Sequence, residues 1–146
     1  MPASPANTTD LVALHDLYGR LAHAFDSGSG ERFAELCTND IEFRGDQVMI
    51  ASGRSQMAEL VNSVATTQPG IRHLISSVYV DIDESDAVGH VYSVALRPTS
   101  EGLVFGALAE YEDTFVRLDG AWALRRRDFV RLAPAAANRS FVMAPK

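Results

Sequence analysis

Cysteine is almost absent from this chain. A single thiol, Cys37, among 146 residues excludes an intrachain disulfide and any cysteine-rich metal site, and it fits a reducing compartment. Positive charge is also scarce: 13 Lys and Arg stand against 19 Asp and Glu, a formal charge of -6. Nucleic acids and anionic membranes require a concentrated basic surface, so neither is an expected partner. The four histidines, at positions 15, 23, 73 and 90, have no metal-ligand spacing. His15 and His23 are two helical turns apart rather than one, and no metal or other cofactor is expected. Neither a run of about 18 apolar residues nor a cleavable apolar leader occurs, which reads as a cytoplasmic protein without a membrane span. The small-residue step Ser27-Gly28-Ser29-Gly30 follows a helical pattern rather than a strand, the wrong context for a phosphate-binding loop.

What is present fits one domain with a core and room for a ligand cavity: 47% of residues are apolar and 22% charged. Residues 1–8 hold two prolines and no apolar period and are expected to be disordered, with Thr8, Thr9 or Asp10 capping the first helix. Leu11, Leu14, Tyr18, Leu21, Ala22 and Phe25 then recur at helical steps and predict a helix packed on a core. At ~100° per residue, Asp26 lies at the edge of that stripe while His23 points away from it. A short helix is predicted over Glu31–Leu36, short strands over Ile41–Phe43 and Val48–Ala51, and a third helix over Ser55–Val64, ended by Gln68-Pro69-Gly70. Long strands follow over Arg72–Ile82, Ala87–Arg97, Leu103–Leu118 and Ala121–Leu132, with Glu84-Ser85-Asp86 and Asp119-Gly120 as hairpin turns. Helices first and a long antiparallel meander afterwards predict an α+β domain over residues 9–132, its helices on one face of a curved sheet. Residues 133–146 read as an irregular tail.

Chemistry-bearing residues are few. In the strand opening at Arg72, alternation puts His73, Ile75, Ser77 and Tyr79 on one face and Leu74, Ser76, Val78, Val80 and Ile82 on the other, so both faces of the sheet are expected to be covered. His73 alone reads as a hydrogen-bonded strand histidine, and Asp26 alone as a polar residue at a helix end. Together they would make a proton-transfer site, because a carboxylate that orients and charges an imidazole creates a base that works near neutral pH. Donors that could hold a developing oxyanion are Tyr18, Tyr92, Tyr111 and Arg44, with Tyr111 preferred for its place in the long strand 103–118 and Tyr18 read mainly as core. Asp46, in the polar turn Arg44-Gly45-Asp46-Gln47, is a weaker alternative base. Alternation through Arg125-Arg126-Arg127 sends Arg125 and Arg127 to one face and Arg126 to the face of Trp122 and Leu124. The arginines are expected to be exposed and paired with Glu110, Glu112 or Asp113, although one of them, or Arg117, could hold an anionic group.

Several segments together carry a family resemblance: Ala22-His23-Ala24-Phe25-Asp26, Leu36-Cys37-Thr38-Asn39-Asp40, Arg72-His73-Leu74-Ile75 and the run Tyr111–Trp122. Over residues 8 to 132 the chain resembles the SnoaL-like branch of the NTF2-like superfamily. That resemblance implies a cone of three N-terminal helices on a strongly curved, mostly antiparallel sheet. The superfamily includes scytalone dehydratase, hexachlorocyclohexane dehydrochlorinase, bile-acid 7α-dehydratase, ketosteroid isomerase and polyketide cyclases. In the dehydratases and the dehydrochlorinase, an Asp ending the first helix pairs with a His early in the first long strand, and Asp26 and His73 match those positions. This implies a cofactor-independent lyase of dehydratase type acting on a small, mostly apolar oxygenated molecule, with isomerase, cyclase and non-catalytic ligand binder as alternatives. It also implies a homodimer or homotrimer. The chain departs from these relatives at Leu21, where the dehydrochlorinase has lysine and the bile-acid enzyme tyrosine, and at Phe25 and Phe43, where scytalone dehydratase has tyrosines. The base is matched, whereas the residues that would read the substrate are not.

Overall fold

A computed structural model describes residues 8–132, so residues 1–7 of the start expected to be disordered, and the tail 133–146 expected to be irregular, lie outside the described residues, while Thr8 is helical. Three helices, α1 (Thr8–Asp26), α2 (Gly30–Glu35) and α3 (Arg54–Thr67), accompany six strands. These are β1 (Cys37–Gly45), β2 (Val48–Ser52), β3 (Arg72–Asp83), β4 (Asp86–Thr99), β5 (Gly102–Leu118) and β6 (Ala121–Arg131). The strands form one sheet in the order β2-β1-β6-β5-β4-β3. Every neighbouring pair is antiparallel except β1 and β6, which run parallel and join the early hairpin to the later meander.

Local chemistry accounts for most element boundaries. The α1 stripe buries Leu14, Leu17, Tyr18, Leu21 and Ala24, and Gly28 at φ 70 turns the chain out of the helix. Asp119 and Gly120 both take positive φ in the two-residue loop between β5 and β6, the twist that antiparallel neighbours prefer. Asp46 and Gln47 do the same between β1 and β2. Helix α1 packs on β3 and α3 packs on β1 and β2, enclosing a core that includes Phe33, Phe115, Leu14, Ile41 and Met57, all fully buried.

Among the sheet's irregularities, two decide which way the residues of β3 and β6 face. The β3–β4 register shifts between Ser76 and Tyr79, with Ser77 at φ 51. This bulge keeps His73 and Ile75 on the inner side and brings Val78, Val80 and Ile82 to that side as well, while Leu74 and Tyr79 face out. Simple alternation, which groups Tyr79 with His73, fails for that reason. A second shift occurs where β5 residues Thr114 and Phe115 pair with β6 residues Arg126 and Leu124, leaving Arg125 as the extra residue. Leu124 and Arg127 therefore share the buried face. Among the described residues the outer face is left uncovered: Leu74, Tyr79, Tyr92 and Val130 are all exposed.

Candidate active site

A cavity of about 370 Å³ lies between the helices and the inner face of the sheet. Its walls are chiefly apolar, from Leu21 and Phe25 of α1, Leu60 and Val64 of α3, and Phe43 and Ile75 of the sheet. Polar groups reach it at few places, among them His73, Ser93, Tyr111 and Arg127. Small-molecule sites have this composition: an apolar enclosure with a few placed polar groups.

The fold brings Asp26 and His73 together. Asp26 ends α1 and His73 is the second residue of β3, and packing of that helix on that strand closes the gap of forty-seven positions. His73 Nδ1 stands 2.6 Å from Asp26 Oδ1, and the backbone N–H of His73 donates to Asp26 Oδ2 at 2.8 Å. A carboxylate only accepts hydrogen bonds, so Nδ1 is the donor in the first contact, and the neutral form of the ring then has its lone pair on Nε2. The second bond fixes the carboxylate against the strand backbone. The Phe25 ring meets the imidazole edge-on, with centroids 5.1 Å apart, and holds its plane from the other side.

At the sheet side of the cavity lies a buried ion pair. Asp113 on β5 is 0% exposed and Arg127 on β6 is 5% exposed. Arg127 donates through Nε and Nη2 to the two Asp113 oxygens at 2.9 and 2.8 Å, the bidentate geometry of a strong pair. Nη1 takes part in neither bond. The guanidinium also lies over the Tyr111 ring, 4.3 Å from its centroid. Burial pushes the Asp113 carboxyl above its ordinary range and the Arg127 charge opposes that shift; in Arg127 burial acts downward, and the Asp113 carboxylate more than offsets it. Burial likewise raises the Tyr111 phenol. Ring contacts then run without a break from base to cation: His73 to Phe25, Phe25 to Phe43, Phe43 to Phe129, Phe129 to Tyr111, and Tyr111 to Arg127. One wall of the cavity is an aromatic band with an imidazole at one end and a guanidinium at the other.

The remaining sequence candidates divide. Tyr111, Phe25 and Phe43 line the cavity. Tyr18 also reaches it, but its hydroxyl is buried on the Asp113 side, and burial followed by the Asp113 charge raises its pKa. It is a core residue at the cavity edge. Tyr92 must be removed from the site: on β4 the alternation that buries Val91 and Ser93 sends it outward, 48% exposed. Arg44 goes with it, on the outer side of the sheet with its Nε 3.3 Å from Asp128. Asp46 is held in the β1–β2 turn, accepting the backbone N–H of Arg131 at 3.0 Å, and does not line the cavity. Arg117 is engaged by Asp10 at 2.9 Å, beside the Trp122 ring. Sequence reasoning named Asp113 as a partner for the arginines but placed the pair on the surface. The bulge at Arg125, invisible in the chain itself, is what turns Arg127 inward. Among the described residues no group of three His, Cys, Asp or Glu could hold a metal ion, and no helix is long and apolar enough to cross a membrane.

Comparison with known proteins gives consistent findings. A family model described as a SnoaL-like domain matches residues 6–128. The fold is similar to the D26N variant of Rv3472, a protein of unknown function from Mycobacterium tuberculosis, with a TM-score of 0.81 and 22% identity over 98% of this chain and 84% of that one. It is also similar to a protein from Novosphingobium aromaticivorans provisionally named scytalone dehydratase, with a TM-score of 0.76 and 20% identity over 92% of each chain. ActVI-ORFA from Streptomyces coelicolor aligns with a TM-score of 0.74 and 20% identity, over 84% of this chain and 97% of that one. At such identities these likenesses establish the fold, which is NTF2-like and cystatin-like. A comparison with the curated proteins finds no match.

Proposed function

Because the chain belongs to the SnoaL-like domain family, we propose that it is a cofactor-independent lyase of dehydratase type, using His73 as base and Asp26 as its partner. The observation that carries this reading is the 2.6 Å contact between Asp26 Oδ1 and His73 Nδ1, with His73 on the wall of a largely apolar cavity. In the proposed reaction Nε2 takes a proton from a carbon beside a carbonyl, and the C–H electrons pass into an enolate. Asp26 stabilises the imidazolium so formed. The enolate oxygen needs donors, and Arg127 and Tyr111, both on the cavity wall, would serve. Collapse of the enolate breaks the C–O bond at the β carbon, the leaving hydroxyl takes the proton from Nε2, and water departs. The substrate is thus a small β-hydroxy carbonyl compound, largely apolar and able to lie along the aromatic band. Isomerisation or cyclisation would share the first step and differ in where the enolate delivers its electrons.

A second reading has its own support. Asp26 also bonds the backbone N–H of His73, as a purely structural clamp between α1 and β3 would, so the cavity could serve ligand binding alone. The deciding experiment assays a panel of apolar β-hydroxy ketones and thioesters for appearance of the conjugated product. Turnover by the wild type, with a loss of about 10²–10⁴ in Asp26→Asn and His73→Ala on general acid–base grounds, supports the lyase. Full activity in either variant overturns the dyad; binding without turnover favours the ligand-binding reading.

A further inference from the structure

The chain carries a net charge of -6, yet among the described residues no Asp or Glu lines the cavity. Two arginines do, Arg127 and Arg131, together with His73. The sign of the cavity is therefore opposite to that of the protein. Strand β6 builds this cationic wall: side chains two positions apart share a face, so Arg127, Phe129 and Arg131 all reach the cavity. At ~3.3 Å per residue the two arginines leave the backbone roughly 13 Å apart, with Phe129 between them.

Their charges are not equally available. Arg127 is buried and clasped by both oxygens of Asp113 at 2.9 and 2.8 Å, which cancels most of its charge where it stands. Arg131 lies over the Phe129 ring, 5.6 Å from its centroid, and faces Asp46 across 3.8 Å from Nη1 to Oδ2, longer than a hydrogen bond. The other Asp46 oxygen accepts the Arg131 backbone N–H at 3.0 Å. Both side chains keep 46% of their surface. So loose and exposed a pair contributes little, and the Arg131 guanidinium can turn to a second anion at slight cost.

Arg131 also stands at the entrance. Of the residues lining the cavity, it and Ile50 are the exposed ones, so they mark the mouth. His73 stands at the other end of the ring series through Phe25, Phe43 and Phe129. A ligand lying along those rings has one end beside the imidazole and the other beside a loosely held guanidinium.

We propose that the ligand of this cavity carries a carboxylate, which Arg131 holds at the mouth while the apolar body lies on Phe129 and Phe43. The planar guanidinium fork matches a carboxylate with two parallel bonds, and one available fork suits a monoanion. Because the mouth is open, the carboxylate keeps part of its hydration and the apolar body alone is withdrawn from water. Resting on the lyase reading of the same cavity, this narrows the substrate class to β-hydroxy carbonyl compounds with a carboxylate at the end remote from the reacting carbon.

The test uses two probes of one shape, 2-naphthoate and the uncharged 2-naphthamide. Their binding is measured by calorimetry at pH 7 and low salt in the wild type, Arg131→Gln and Arg131→Lys. The methyl resonances of Ile71 and Ile75, both on the cavity wall, show whether the probe has entered. The wild type should bind naphthoate at least tenfold tighter than naphthamide, with both methyl groups shifted. In Arg131→Gln that preference should fall below threefold while naphthamide changes less than twofold, and Arg131→Lys should restore part of it. No binding of naphthoate, a wild-type preference below threefold, a preference unchanged in Arg131→Gln, or unshifted isoleucine methyls each overturns the proposal. Turnover is not read, so a failed lyase assay bears on the Asp26–His73 pair, whereas failure here bears on the carboxylate and on Arg131.

Discussion

Replacing Asp113 with Asn leaves the Arg127 guanidinium in place and takes away the carboxylate that compensates it. The side chains are 0% and 7% exposed, so bulk water compensates little for the lost carboxylate. Two charge-assisted bonds, at 2.9 and 2.8 Å, are weakened at once. Breaking one side of a buried pair costs about 3–5 kcal/mol, against a total stability of about 5–15 kcal/mol for an ordinary domain. Removing both charges is a different perturbation: Asp113→Leu with Arg127→Met replaces the pair by apolar groups and ends the desolvation cost on both sides. That double variant is expected within about 2 kcal/mol of the wild type. Urea denaturation of the wild type, Asp113→Leu, Arg127→Met and the double, with m-values compared across the set, gives the coupling directly, and Asp113→Asn is measured beside them. A cost below about 1 kcal/mol for Asp113→Asn, the range of exposed pairs, would refute the placement of this pair in the interior. The double variant also tests function, because it keeps the fold while deleting the cation under Tyr111. Turnover or ligand affinity should fall in it even though stability does not.

Other consequences follow from single contacts. A Cβ on Gly89 would collide with the Tyr18 hydroxyl and fall 3.1 Å from Phe115 Cε2, so Gly89→Ala should cost about 1–3 kcal/mol by overpacking, and part of that loss should return when Tyr18→Phe is added. Burial pushes the Cys37 thiol from 9.0 up to about 12. Since the folded state holds this proton more tightly than the unfolded chain, its contribution is fully present below pH 9 and is lost as pH rises toward 12. At about 1.4 kcal/mol per pH unit the slope is large; denaturation at pH 7, 9.5 and 11 should show a steeper decline in the wild type than in Cys37→Ala. We also propose that the open face of the sheet, with Leu74, Tyr79, Tyr92 and Val130 exposed, assembles the chain into a homo-oligomer. Light scattering should give a dimer or trimer for the wild type and a smaller species for Tyr79→Glu with Tyr92→Glu, and a monomeric wild type would defeat this.

Much of the architecture was legible before any coordinates, because its determinants are local. The α1 stripe, the break at Gly28, the Asp119-Gly120 turn and the order of helices before strands depend on neighbours within a few positions. Candidate residues on those elements were legible in proportion. Asp26 at the edge of a helical stripe and His73 at a strand start were visible as a potential pair, and the family resemblance supplied the reason to join them. Tyr92 shows a local rule left unused, since period-2 alternation through β4 already points it away from Val91 and Ser93.

What the chain alone determined, then, was the inventory of elements and the residue types able to move a proton. Tertiary structure decided which of those residues meet and which face they occupy. A bulge is a mismatch between two strands and cannot be read from either one. The shift at Ser76–Tyr79 sends Tyr79 out and Val78 in, and the extra Arg125 turns Arg127 toward the cavity, where Asp113 meets it. Distance along the chain carries no information about such encounters. The packing of α1 on β3 brings Asp26 to His73, and β3's place at the sheet edge leaves that pair within reach of both an apolar hollow and solvent.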